Sequence, residues 1–147
     1  MKPCSLAQLP EPERRLVLEA VAARRKAYAP YSHYKVGAAL LDEKGAMHSS
    51  CNVEGADYTL TTHAEMGAIN AMVRSGVLRL KMMAVAVQSG IGWGMPCGLC
   101  RQKIREFAAG TDVPVLGIKL DEKEEIFEIW ASSLEELLPY SFGPEHL

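Results

Sequence analysis

Two short motifs constrain this chain more than anything else in it: His63-Ala64-Glu65 and Pro96-Cys97-Gly98-Leu99-Cys100. Thirty residues, 66 through 95, lie between Glu65 and Pro96. Each motif opens a segment with a helical pattern. Thr61 or Thr62 can cap a helix whose apolar positions include Met66, Ile69, Met72 and Val73, ending near Gly76. Pro96 suits a helix start, and a second helix is expected from Cys97 to Phe107. Cys97 and Cys100 are three apart, so both thiols project from one helical face. The free backbone N–H groups and positive dipole end of a first turn favour thiolates there. His63 falls in the first turn of the other helix. A fold that brings both helix starts to one sheet edge gathers an imidazole and two sulfurs around a single point.

Such a donor set suits a metal. Three protein ligands with an open fourth position are the arrangement of a catalytic zinc, whereas structural zinc is closed by four. Bound zinc lowers the pKa of its water from about 15.7 to about 7. Glu65, two residues from His63, lies close to the metal and points differently, which suits a general acid and base. One neutral imidazole and two thiolates sum to −2 and balance Zn²⁺ without a nearby cation. Met66 after Glu65 is consistent with such a neutral site. Arg101, directly after Cys100, is placed to donate to a thiolate. Taken singly, each motif has plainer readings. His-x-Glu occurs in many helices by chance, and Cys-x-x-Cys is also half a zinc ribbon, a redox pair or two buried thiols. A ribbon needs a second ligand pair, which Cys4 and Cys51 do not form, and a redox pair leaves His63 and Glu65 unexplained. Together the motifs match the signature His-x-Glu…Pro-Cys-x-x-Cys of zinc deaminases.

The rest of the chain supplies a frame. Its 147 residues fit one domain, 1–147, and 48% apolar residues exclude a disordered chain. Apolar runs stay well short of the ~18 residues of a membrane span, and the start of the chain has no signal-peptide pattern. A soluble, cytoplasmic protein is expected. A formal charge of −2, with basic pairs and triplets confined to one helix, argues against a nucleic-acid partner. Glu11 to Ala27 carries Leu16, Val17, Ala20 and Val21 on one helical face. Val36 to Leu41 and Ala46 to Asn52 form a hairpin around Asp42-Glu43-Lys44-Gly45. Met82 to Val87 reads as a buried strand, and Ser89 to Gly94 as a flexible glycine-rich loop. Val113 to Leu120 and Glu125 to Trp130 flank Asp121-Glu122-Lys123, and Ser132 or Ser133 caps a short helix through Leu138. The order α-β-β-α-β-α-β-β-α predicts a three-layer α/β/α fold on a mixed five-stranded sheet.

From Ala29 to Phe142 the chain resembles the cytidine deaminase family. Pro30-Tyr31-Ser32 and Val36-Gly37-Ala38-Ala39-Leu40 are similar to its first strand region. Cys51-Asn52-Val53-Glu54 resembles its ribose-binding motif, and Cys100-Arg101-Gln102 completes its second zinc motif. Leu137-Leu138-Pro139-Tyr140-Ser141-Phe142 resembles its C-terminal signature. The resemblance implies one Zn²⁺ per chain on His63, Cys97 and Cys100, with Glu65 as the catalytic proton carrier. It implies that Asn52 and Glu54 bind the ribose hydroxyls, that Tyr34 walls the pyrimidine, and that the Ala64 N–H binds the ring carbonyl. Tyr58 joins the substrate contacts, and Phe142 closes a neighbour's pocket in a homotetramer. The implied reaction converts cytidine or deoxycytidine to uridine or deoxyuridine, within pyrimidine salvage.

The chain departs from the family in three places. Gly55 stands where asparagine is usual, and Met95 where a small polar residue usually precedes the proline. His63 replaces the cysteine common in small members. Two alternatives remain at this stage: a deaminase of a related base or of an antibiotic of the blasticidin S type, and an inactive zinc-stabilised binding module. Trp93, beside the second motif, is a candidate for contact with substrate or a neighbouring subunit.

Overall fold

The computed structural model describes residues 1–88, 90 and 92–147. Of the expected glycine-rich loop, Ser89 and Ile91 lie outside the described residues. The strands are β1 (Lys2–Cys4), β2 (Val36–Asp42), β3 (Met47–Cys51), β4 (Leu80–Gln88), β5 (Pro114–Leu120) and β6 (Ile126–Ser133). The helices are α1 (Glu11–Arg24), α2 (Ala64–Arg74), α3 (Gly98–Phe107) and α4 (Leu134–Leu137). The strands form one sheet in the order β1-β6-β5-β4-β2-β3. Among the described residues, β4 and β5 are the one pair of strands that runs in parallel; the other neighbours are antiparallel. The class is α/β as expected, but the sheet has six strands, not five.

The unexpected strand is β1, three residues paired antiparallel with β6. It is too short to show a period of two. Its Pro3, which sits opposite Trp130, reads as a strand breaker. On a sheet edge, however, the missing N–H of a proline removes no ladder bond.

The apolar run of β4 explains the three layers. Met83, Val85 and Val87 face one side, where they pack with Ala68, Ile69 and Met72 of α2 and Ile104 of α3. Met82, Ala84 and Ala86 face the other, against Leu16, Val17, Ala20 and Val21 of α1. A strand covered on both faces has no polar side to alternate with. Burying side chains the size of Met83 or Ile69 contributes about 1.5–3 kcal/mol each. The α1 layer sits unusually low on the sheet. A Cβ on Gly37 would stand 2.1 Å from the Ala20 carbonyl oxygen and 2.3 Å from the Arg24 nitrogen. Only a residue without a side chain admits the helix this closely.

Strands β3 and β4 run in the same direction, since each is antiparallel to β2. The chain enters α2 after β3 and α3 after β4. Both helix starts therefore lie at the edge where these strands end, which is where sites form in α/β sheets.

Candidate metal and substrate site

The helix starts differ by one or two residues from the expected positions, and the difference helps the site. His63, not Thr61 or Thr62, is the N-cap of α2, and Cys97 is the N-cap of α3. Neither side chain caps its own helix, so both are available to a ligand. Cys100 lies within the first turn of α3 and is fully buried. His63 Nδ1 stands 3.2 Å from Cys100 Sγ and 3.4 Å from Cys97 Sγ. All three ligand atoms lie within 4.8 Å of one another. With zinc bonds of about 2.3 Å to sulfur and 2.1 Å to nitrogen, tetrahedral geometry puts N and S about 3.6 Å apart. The cluster fits that ion with little adjustment.

The electrostatics agree with the geometry. Burial, compounded by Glu65 and Cys97 nearby, pushes the Cys100 thiol far above its ordinary range. A buried sulfur in such a place ionises only with a cation beside it. Burial also raises the carboxyl of Glu65, which is 4% exposed and hydrogen-bonded with Cys100. Two hydrogen bonds from Arg101 tie the chain ahead of Cys97 to α4. Arg101 Nε donates to the Pro96 carbonyl at 2.7 Å, and Nη1 donates to the Leu137 carbonyl at 3.0 Å. The expected hydrogen bond from Arg101 to a thiolate is not among those described. Its described hydrogen bonds go to backbone oxygens on either side of α3, because the guanidinium reaches past the helix start toward α4.

These groups open on a cavity of about 490 Å³. Tyr34, Asn52, Glu54, Tyr58, Ala64 and Glu65 all line it with the metal-ligand candidates His63 and Cys97. Ala64 opens α2, where a backbone N–H has no partner within the helix. Asn52 and Glu54 do structural duty that the sequence did not disclose. The amide of Asn52 accepts from Val36 N at 2.8 Å and donates to the Tyr34 carbonyl at 2.9 Å. The carboxylate of Glu54 accepts from the Ser32 hydroxyl and from the amides of Tyr31 (3.1 Å) and Ser32 (3.3 Å). Its pKa is lowered, chiefly by the Ser32 hydroxyl. The two side chains thereby hold the 31–36 segment, and Tyr34 with it, against the cavity.

The sequence signals no place in the site for Ser32, Thr61, Val85 or Val87, yet all four line the cavity. The valines were findable, since alternation along β4 turns every second residue toward α2 and α3. Ser32 gave no signal beyond its place in Pro30-Tyr31-Ser32. Phe142 does not line this cavity; it is exposed and stacks on His146 with ring centroids 4.9 Å apart. Trp93 also stays out of it and packs edge-to-face with Trp130, ring centroids 4.6 Å apart.

Comparison with known proteins places this geometry. Residues 10–116 match the family model described as the cytidine and deoxycytidylate deaminase zinc-binding region. The chain is 41% identical over 133 residues to the cytidine deaminase of Sporosarcina psychrophila, covering 90% of this chain and 93% of that one. It is 43% identical over 132 residues to the cytidine deaminase of Mycobacterium tuberculosis, covering 87% of each. The crystal structure of the cytidine deaminase from Burkholderia pseudomallei superposes with a TM-score of 0.74 at 35% identity, covering 87% of this chain and 97% of that one. The matched region contains both helix starts that carry the clustered imidazole and thiols, and by it the chain belongs to the zinc-binding cytidine and deoxycytidylate deaminase family.

Proposed function

We propose that this chain hydrolyses the 4-amino group of cytidine or deoxycytidine, giving the uracil nucleoside and ammonia in pyrimidine salvage. Residues 1–147 act in this reading as one catalytic domain; β1 and β6, from opposite ends of the chain, complete the same sheet. The observation that carries the reading is a buried carboxyl, Glu65, facing the same cavity as His63 and Cys97, two of three converging metal donors, and a polar, aromatic wall. His63, Cys97 and Cys100 would hold a zinc ion, which when bound would supply an acidified water as nucleophile.

The chain's own residues do the rest. Glu65 takes a proton from the attacking water and delivers it to N3 of the ring as the C4–O bond forms. It then carries the second proton to the amino group, which leaves as ammonia while C4 becomes a carbonyl. Both protons of water are accounted for, and Glu65 ends as it began. Carriage of this kind contributes about 10²–10⁴-fold. In this reading the Ala64 N–H donates to the ring carbonyl, and Tyr34 and Tyr58, which line the cavity, flank the base. An amide has two protons and two acceptor sites, so Asn52 keeps one of each after holding Tyr34 and Val36. A carboxylate offers about four acceptor sites, of which Glu54 uses three, leaving one for a sugar hydroxyl.

The exposed Tyr28, Tyr31, Tyr58 and Leu60 come from two segments that meet through the Tyr28–Val53 bridge and the Tyr31–Tyr58 ring contact. Together with the exposed Phe142, they support a homo-oligomer, a tetramer by family resemblance, in which Phe142 closes a neighbour's pocket. Ammonia release from cytidine, deoxycytidine, cytosine, adenosine, guanosine and blasticidin S tests the function. Turnover of the two cytosine nucleosides alone is expected. Turnover of the antibiotic alone, or inactivity on all six with one zinc per chain, would overturn it.

A further inference from the structure

Of the three metal-ligand candidates, Cys97 depends most on the loop before it. Cys100 is fixed inside α3 and fully buried, whereas Cys97 is the exposed N-cap. Its position is set by the approach through Trp93, Gly94, Met95 and Pro96, of which Met95 and Pro96 also line the cavity.

That approach rests on the sheet through an unusually close backbone contact. A Cβ on Gly117 of β5 would lie 2.3 Å from the Trp93 carbonyl oxygen and 3.1 Å from the Gly94 carbonyl carbon. Gly94 has φ +66°, and a Cβ there would lie 3.2 Å from the Ile118 carbonyl oxygen. Gly117 pairs with Trp130 of β6, and paired residues project from the same face of a sheet. The Trp93 and Trp130 rings pack edge-to-face, with centroids 4.6 Å apart and 78° between planes. Trp130 is held from behind: its indole N–H donates to Glu128 at 3.1 Å, and Lys119 donates to the same Glu128 oxygen at 2.9 Å. Edge-to-face aromatic pairs of this kind favour one relative orientation.

We propose that Gly117 and Trp130 form a dock for Trp93, and that this dock positions Cys97 and Met95 over the metal and substrate site. Trp130 is then a positioning residue, acting through Trp93 on a ligand four residues further along. The inference rests on the zinc centre proposed above, and it reaches residues on strands β5 and β6 that carry none of the site's donors.

The chain has two tryptophans, Trp93 and Trp130, so the dock carries its own optical probe. In Trp130→Phe the edge contact is retained and Trp93 is the sole emitter. Titrating the metal-free Trp130→Phe protein with zinc is expected to shift the Trp93 emission in step with zinc uptake. Trp130→Ala and Gly117→Ala are expected to hold zinc about tenfold less tightly against a competing chelator, the scale on which supports of metal ligands act. Trp130→Phe should retain it nearly as the parent does. Each measurement is made well below the variant's unfolding temperature. Zinc uptake that leaves Trp93 emission unmoved overturns the dock and leaves the metal centre standing. Should Trp130→Ala and Gly117→Ala fold and retain zinc like the parent, the dock is overturned as well. Failure of the parent itself to take up zinc overturns both.

Discussion

A carboxyl group with only 4% exposure, such as Glu65, is costly to ionise unless charge develops beside it. Its value lies in carrying a proton, which an amide of the same shape does not do. Glu65→Gln is therefore expected to lower kcat by about 10²–10⁴-fold while the protein still binds one zinc; stopped activity with lost metal would assign the carboxyl to the metal instead. Cys100 is equally buried, and Cys100→Ala should lose zinc together with thermal stability, because ligation and folding are coupled. Metal analysis and a melting curve on the same sample check both. The chemistry-bearing residues were legible in the sequence because their types and spacing have few other uses in combination. Their hydrogen-bond partners were not. That Arg101 would serve two carbonyls, or that Asn52 would bind the backbone of Tyr34 and Val36, depends on segments distant along the chain.

Elements were read well where they bury a face and poorly where they do not. The unbroken apolar run of β4 and the apolar stripe of α1 follow from burial. β1 has too few residues to show a pattern, and the cap of α2 shifted from the threonines to His63 by a local choice of backbone angles. The close seating of α1 gives a sharp test. Gly37→Ala would drive a methyl group into the Ala20 carbonyl, and overpacking on this scale costs about 1–3 kcal/mol. Urea unfolding should show that loss; an unchanged midpoint would mean that α1 is free to lift. The β2–β3 turn gives another. Burial opposes the charge of Asp42, yet His48 and the amides of Ala46 and Lys44 outweigh it and hold its pKa below the usual value. Its stabilisation is full above about pH 4 and is lost as pH falls through the lower folded value. Melting temperature should therefore stay level down to about pH 5 and decline below about pH 4. Asp42→Asn should flatten that decline.

For the whole molecule, the sequence indicated the layers but not how many strands they enclose, since strand order is settled by contacts across the full length of the chain. The Trp93–Trp130 contact belongs to this scale too, being made between loop and sheet. Assembly is the matching prediction: light scattering should find a tetramer, and a monomer at working concentration would remove Phe142 from the site. The starts of α2 and α3 hold the ion's ligands, while Asn52, Glu54, Tyr34 and Tyr58 come from the strand ends and loops beside them. Two jobs are thus entrusted to separate stretches of backbone. Drift in the loops can trade one guest for another while the reactive centre stays put, so a lineage built on this plan is free to explore new substrates without having to reinvent its chemistry.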